Sequence, residues 1–590
     1  MKAIALPADV VLNIYHLNHY DSDSDSLNLS HVCRLWRDIL HGYTAFWAKV
    51  DLHLGKRDPD RKAAYWVKRA GRKPLVIHVR CGRQQPVVSE RKLTTIIARV
   101  GLVLRDCMDR WESFTMDTSS QEIEHLLLIC TGYAPRLRVL NLNCWNGIRD
   151  VRRLLVPILP SIELPSDSSG LSVSTQGYIP RFTMPSIGIT EISVDFSMDW
   201  PDEGYFNMND LFSIFQSCPN LINFHLSAFG SDEMGPPLLN GFVILSRLTA
   251  FSLSWIRSVE NVLSFLQLPL LESITLFEAN WSDAARVALW NVFGSSPFLS
   301  SIIINHDDDK YCYERDPVPF HESPLTLHHV TTFHMEGSRT FLQPLLDLLT
   351  LPRVEKLELA GAPISTVHRF ISSSTELRDV SLRNFRQVPA DLDIPAHAPI
   401  LLPSLTSLHV EDFPAFVDYI HAPRLKTLKL EEYYDSAHIV GSRAFLRAAV
   451  ERSATALTTL HLRGLDVGDE DMQWCLERLS VLEELFISYC AISDAVLSAL
   501  ASPPSPDANA SWLLPCLKTF LFENNDCITP SGAIKFLATR TLNPIPNISG
   551  EFGFNLDLSP KDAMTIMEYG SSLSRAHMYI HVSEESGDEL

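Results

Sequence analysis

The 590-residue sequence predicts an α/β protein: a short helical head, then an irregular solenoid of stacked strand–helix units, with parallel strands on a concave face and helices on a convex one. Three observations carry this expectation. A six-residue phrase, L-x-x-L-x-L with apolar substitutes, recurs through most of the chain. Segments with helical apolar spacing lie between its copies. The first fifty residues carry helical apolar spacing of their own, yet are too few to bury a generous core alone.

In the head, Leu6-Pro7 opens a helix, since proline is tolerated in a first turn. Val10, Val11, Ile14, Tyr15 and Leu17 then form one face. Residues 21–26, alternating Asp and Ser, read as a solvated loop, and acidic flanks make Ser22 and Ser24 candidate phosphorylation sites. The helical pattern resumes at Leu27, Leu29, Val32, Cys33, Trp36, Ile39 and Leu40. After a turn near Gly42, Phe46 and Trp47 supply large apolar anchors, and Val50 and Leu52 alternate with Asp51 and His53.

Three blocks in this order, Leu-Pro-x-Asp-Val-x-Leu-x-Ile-Tyr, Val-Cys-Arg-x-Trp-Arg-x-Ile-Leu and Phe-Trp-x-x-Val-Asp-Leu, resemble the F-box over roughly residues 4–54. The resemblance implies a helical module, residues 1–54, that docks on a Skp-type adaptor and through it on a cullin. It implies adaptor contacts from Leu6, Pro7, Ile14, Val32, Cys33 and Trp36. The same residues would also suit a self-contained three-helix core. The Asp/Ser insert departs from the family, whose inter-helix loop is usually short.

Residues 55–135 read as a linker region of helices and strands leading into the repeats. A helix over 63–71 is closed by Gly71, strands are expected over 74–79 and 111–116, and an apolar helical run covers 93–104. This order resembles the start of fungal F-box proteins that continue into leucine-rich repeats.

The repeats are expected over 136–557. The phrase reads Leu137-Leu140-Leu142, a weaker Ile189-Ile192-Val194, then Leu221-Phe224-Leu226, Leu248-Phe251-Leu253, Leu271-Ile274-Leu276 and Leu299-Ile302-Ile304. It continues as Val330-Phe333-Met335, Val354-Leu357-Leu359, Leu377-Val380-Leu382, Leu405-Leu408-Val410 and Leu425-Leu428-Leu430. The last copies are Leu457-Leu460-Leu462, Leu482-Leu485-Ile487 and Leu517-Phe520-Phe522. From Leu221 to Leu517 eleven intervals span 296 residues, about 27 each, which lies in the leucine-rich-repeat range. The last two apolar residues of each phrase alternate along a strand and so share one face. Cys490 and Asn525 occupy the turn slot after their phrases, where a buried structural residue is expected; most copies lack either residue there, so the solenoid should be irregular. Loop excursions are expected near 161–185, 306–325, 388–403 and 502–515, and a cap with an acidic tail over 558–590.

Composition narrows function. Apolar content of 46% suits a folded protein, and no apolar run approaches the length that spans a bilayer, so no membrane partner is expected. Pro7 and Asp9 interrupt the opening apolar run, which therefore does not read as a signal peptide. Eleven cysteines without a C-x-x-C pair fit small buried residues in a reducing compartment, so the expected location is cytoplasmic and/or nuclear. The net charge is -20: residues 1–110 hold 19 Lys/Arg against 11 Asp/Glu, +8, leaving -28 for 111–590, which argues against nucleic acid as a partner. Glycine-rich phosphate loops, zinc-protease motifs and nucleophile elbows are absent from the sequence. Asp307-Asp308-Asp309 lacks a ligand scaffold, and His577 and His581 read as surface or cap residues. A non-catalytic chain without cofactor or metal is expected.

A concave sheet would present the residues between the buried leucines: Lys356, Glu358, Asp379, Arg383, His409, Glu411, Lys429, Glu431, His461, Arg463, Glu484 and Phe486. Mixed charge with an exposed aromatic suits protein recognition. With the F-box resemblance, the expected function is the substrate-recognition subunit of an SCF-type cullin–RING ubiquitin ligase, holding an unidentified target protein on the repeats. The alternative is a leucine-rich-repeat interaction scaffold outside any ligase, whose head simply packs on the residues that follow.

Overall fold

The computed structural model describes residues 6–17, 29–81, 90–144, 158–159, 162–163, 170–177, 179–182, 186–196, 208–228, 235–239, 241–256, 258–279, 282–305, 322–383, 399–432, 442–453, 456–502, 512–525, 527–541, 549–553, 561 and 564–566. The chain is mixed α/β and divides into two compact units, Met1–Leu299 and Ser300–Leu590. Its main-sheet strands number 19 among the described residues, nine in the first unit and ten in the second, and all the pairings between them within each unit are parallel.

The first unit opens with α1 (Ala8–Leu17) and α2 (Arg34–Gly42), then β1 (Lys49–His53), α3 (Pro59–Arg69), β2 (Leu75–Arg80), α4 (Glu90–Arg105), β3 (Trp111–Thr118) and α5 (Ser120–Ile129). It continues with β4 (Val139–Cys144), β5 (Leu171–Gln176), β6 (Ile189–Phe196), α6 (Met208–Ser217), β7 (Asn223–Ala228), β8 (Ala250–Ser254), α7 (Glu260–Leu263), β9 (Ser273–Phe277) and α8 (Asp283–Ser295). The second unit runs β10 (Ser301–Asn305), β11 (Thr332–Glu336), α9 (Arg339–Leu348), β12 (Lys356–Ala360), α10 (Ile364–Ser373), β13 (Asp379–Arg383), β14 (Ser407–Glu411) and β15 (Thr427–Glu431). Then come α11 (Ser442–Ser453), β16 (Thr459–Arg463), α12 (Asp469–Leu476), β17 (Glu484–Ser488), α13 (Asp494–Ala501), β18 (Thr519–Glu523), α14 (Pro530–Thr541) and β19 (Ser549–Gly553). In each unit every strand pairs with the next one in the chain, so spatial order follows sequence order. Parallel neighbours need a crossover, and the helices supply many of them.

The repeated phrase is what makes this order self-consistent. In β12 and β13 the register sets Leu357 against Val380 and Leu359 against Leu382, and all four side chains are buried. The leading residues of the same two phrases, Val354 and Leu377, are buried as well, so each phrase commits all three of its apolar side chains to the core. Helices close over the same face: Phe215 of α6 meets Phe224 of β7 at 4.9 Å, Phe370 of α10 stacks on Phe333 of β11 at 6.0 Å, and Phe536 of α14 meets Phe520 of β18 at 5.2 Å. Neither a strand nor a helix could bury that face alone.

A second regularity lies just after the strands. Trp255, Asp412, Tyr489 and Asn524 each follow a strand directly and take left-handed backbone angles, φ of 64°, 63°, 54° and 51°. Gly361 and Gly464 fill the same place with φ of 82° and 68°. In each case the amide donates to the end of the following strand, for example Tyr489 N to Glu523 O at 3.0 Å and Gly464 N to Ser488 O at 2.9 Å. The ladder is thereby extended by one bond while the chain turns away. At Gly464 no other residue fits, because a Cβ would stand 2.1 Å from the Glu432 carbonyl oxygen.

The structure differs from the sequence reading in one stretch. Within the excursion expected at 161–185, residues 171–176 form β5, paired with β4 on one side and β6 on the other. Serine and glycine content suggested a loop, but Leu171, Val173 and Thr175 alternate with outward polar residues and are buried. Alternation prevails over composition once two neighbouring strands are present. The strands expected over 74–79 and 111–116 belong to the parallel sheet. Residues 21–26 with Ser22 and Ser24, residues 307–309, most of the expected excursions at 306–325, 388–403 and 502–515, His577, His581 and most of the expected cap lie outside the described residues. Among the described residues, no helix is long and apolar enough to cross a membrane.

Candidate functional site

Two surfaces stand out, one in each unit. In the first, α1 and α2 pack with Val11, Tyr15, Leu40, Phe46 and Trp47 buried. Tyr15 and Phe46 lie 5.7 Å apart, and Trp47 donates its indole N–H to His41 O at 2.9 Å. Phe46 and Trp47 also reach forward to Trp66 of α3 at 6.2 and 5.2 Å, and the Arg69 guanidinium sits 4.9 Å over the Trp47 ring. The head is thus anchored through its aromatic end. Its other end is bare: Leu17 is 78%, Val32 60% and Leu35 41% exposed. Of the sequence-derived contact residues, Pro7, Val32 and Cys33 are exposed, while Leu6, Ile14 and Trp36 are half-buried. Leu17 and Leu35 were not among them, although the helical spacing that singled out Ile14 and Trp36 passes through both.

The second surface is the outward face of β11–β18. The register sets His334, Glu358, Ser381, His409, Lys429, His461 and Phe486 side by side as one column across seven consecutive strands. Lys356 is exposed, Glu431 is buried, and Glu358, Asp379, Arg383, His409, Glu411, Lys429, His461, Arg463, Glu484 and Phe486 are half-buried. All twelve sequence-derived positions therefore point away from the buried leucines. His334, Glu336, Asp412 and Tyr489 belong to the same surface and escaped the sequence reading. The phrase Val330-Phe333-Met335 would have yielded the first two, whereas the left-handed turns that present Asp412 and Tyr489 leave no pattern in the sequence.

The face holds two ionic groupings. Glu358 lies between His334, whose Nδ1 is 3.1 Å away, and Arg383, which donates to its other oxygen. Burial disfavours a charged His334, but Glu336 and Glu358 outweigh it and hold its pKa at about 9. The His334 hydrogen bond, working against burial and helped by the charges of Arg383 and Lys356, holds Glu358 down at about 2. In the second grouping, His409 Nε2 and His461 Nδ1 approach Glu431 Oε1 at 3.6 and 3.7 Å. Burial lowers the pKa of His461, with Glu431 opposing. Burial and the neighbouring Asp412 raise that of Glu411.

Beside these groups stand two aromatic rings. Phe486 meets His461 edge-on at 5.7 Å. Tyr489 is exposed, carries the Arg463 guanidinium 5.1 Å over its ring, and accepts a hydrogen bond from Asn524 Nδ2 at 2.7 Å. Beneath them, Asn525 binds the turn: its Oδ1 accepts from Cys490 N and its Nδ2 donates to Ile487 O, both at 2.9 Å. Cys490 is buried and its thiol is pushed up to about 11, in keeping with a structural residue.

Burial likewise pushes the thiols of Cys130, Cys218 and Cys475 up to about 12, although Cys33, Cys516 and Cys527 are exposed, contrary to a uniformly buried set. Among the described residues, no group of three or more His, Cys, Asp or Glu could hold a metal ion. What both surfaces offer is recognition: an apolar patch in the head, and a charged sheet face with aromatic edges. No family model matches the chain, and no curated protein matches it.

Proposed function

We propose that this chain is the substrate-recognition subunit of an SCF-type cullin–RING ubiquitin ligase. In this reading residues 1–54 are an F-box that holds a Skp-type adaptor, and the parallel strands and helices behind it are an irregular leucine-rich-repeat solenoid whose concave face captures a target protein. The observation that carries the reading is the bare end of the head. Its core is already filled by Val11, Tyr15, Leu40, Phe46 and Trp47, yet Leu17, Val32 and Leu35 remain exposed. Such a patch on a small helical module marks a partner's seat. Leu6, Pro7, Ile14, Val32, Cys33 and Trp36 supply the contacts.

The mechanism is tethering. A target held on one unit, with a ubiquitin-conjugating enzyme brought by the cullin, meets that enzyme at the effective concentration of an intramolecular reaction. The chain itself contributes no catalytic residue and no cofactor, and it works in the cytoplasm or nucleus.

The test is co-purification with a Skp-type adaptor. Val32→Glu places a charge in the patch without touching the buried core, and should reduce adaptor capture at least tenfold, as should the pair Ile14→Ala and Trp36→Ala. Capture unchanged by both variants would refute the reading and leave an interaction scaffold outside any ligase.

A further inference from the structure

The two units carry very different charge. Residues 1–299 hold 28 Lys/Arg against 30 Asp/Glu, a net of -2, while residues 300–590 hold 22 against 40, a net of -18. The outward sheet faces differ in the same way. In the first unit the middle column runs through Thr115, Asn141, Ser174, Ser193, His225 and Ser252, small and uncharged apart from the histidine. In the second it is a field of ionisable groups.

Several cations of that second face are already committed. Arg383 and His334 both serve Glu358, and Arg463 lies over Tyr489. Toward the ends of β14 and β15 the balance tips: Glu411 and Asp412 adjoin Glu431 and Glu432, with Glu411 directly opposite Glu431 in the register. The upward shift of Glu411, caused by burial and then Asp412, is what a surplus of negative charge produces. His409 Nε2, buried beside these carboxylates, has no hydrogen-bond partner among the described residues. Separately from the charge, Tyr489 holds a bulky ring in a left-handed conformation that such residues rarely adopt. Arg463 and Asn524 fix that ring at the edge of the face, two strands from Glu431 and next to Phe486 in sequence.

We propose that the outward sheet face of the second unit captures a Lys/Arg-rich segment of the target protein, with its cations along Glu411, Asp412, Glu431 and Glu432 and an apolar side chain on Phe486 and Tyr489. The inference rests on the reading of this face as the target-binding surface. Guanidinium and ammonium groups make charge-assisted hydrogen bonds to carboxylates and stack on aromatic rings, so one segment type satisfies both features. A nucleic acid or an acidic peptide would meet repulsion from the same carboxylates.

Fluorescence anisotropy on the full chain tests it, with a labelled Lys/Arg decapeptide containing one Phe as probe and its Glu/Asp counterpart beside it. The basic peptide should bind, and weaken as salt rises; the acidic one should not. Glu411→Gln with Asp412→Asn, which keeps a residue tolerant of the left-handed turn, should weaken binding at least tenfold. Glu470→Gln with Glu477→Gln removes two exposed carboxylates from helix α12 and the residue after it, and should change binding less than twofold. Equal binding of both peptides, wild-type affinity in the first double variant, or an equal loss in the second would overturn the proposal. Adaptor capture is measured on the same variants: if it persists while peptide binding fails the test, this inference falls and the receptor reading stands.

Discussion

The Glu358 carboxylate, held between His334 and Arg383, gives the sharpest physical test of the second unit. Replacing Glu358 by Gln removes the charge and keeps the shape. His334 rises from 6.5 to about 9 in the folded chain, and one pKa unit is worth about 1.4 kcal/mol, so the ceiling is about 3 kcal/mol. Both side chains remain 20% exposed, so water screens part of this interaction and about 2 kcal/mol is the expected stability difference. The direction follows from the shift. A histidine whose folded pKa lies above its unfolded one stabilises fully below pH 6.5 and loses that contribution as pH rises through about 9. Glu358, lowered from 4.5 to about 2, loses the same interaction at the acidic end, as pH falls through about 2. Urea unfolding of the full chain and the variant, followed by circular dichroism at pH 6.0 and 9.5, isolates the pair because titrations elsewhere cancel in the difference. The variant should be about 2 kcal/mol less stable at pH 6.0, and the gap should shrink to less than about 1 kcal/mol at pH 9.5, where only the Arg383 contact remains. A gap of equal size at both pH values, or none at pH 6.0, would refute the assignment.

Three further outcomes follow from the packing. Gly464→Ala should cost more than about 2 kcal/mol by urea unfolding, since its φ of 68° is left-handed and a Cβ would strike the Glu432 carbonyl. Gly42→Ala, with nothing within 4 Å of the new atom, should change stability by less than about 1 kcal/mol. Asn525→Ala strands a buried amide and a buried carbonyl in the turn after β17, and should cost about 2–3 kcal/mol with a matching rise in hydrogen exchange at Cys490.

The strands of the repeats were legible because each phrase states its own periodicity twice, once as alternation and once as the interval to the next copy. Leu405-Leu408-Val410 needs no neighbour to announce a strand with a buried side, and all three residues are buried. The outward residues came with them, since whatever stands between Leu408 and Val410 must face the other way. Strand β5 was less legible because Ser172 and Ser174 depress the apolar average over a stretch whose buried side is still regular. The pairing of His334 with Glu358, and of both histidines with Glu431, required the register of adjacent strands, a relation between residues tens of positions apart that no local window contains. The head was legible in its apolar spacing, but which apolar residues stay bare depends on how α1 and α2 rotate toward Phe46 and Trp47, and that is decided by packing.

Strand pairing that follows chain order has a mechanical consequence. Within a unit each strand is gripped only by the strand before it and the one after, so force applied along the chain reaches the terminal strand first and is not shared by distant ones. Stretching the second unit from its ends should therefore unzip it stepwise, each step releasing a segment of about 27 residues, roughly 90 Å of extended chain at about 3.4 Å per residue. Inner strands would keep their partners, and a broken end could rezip onto the strand still standing.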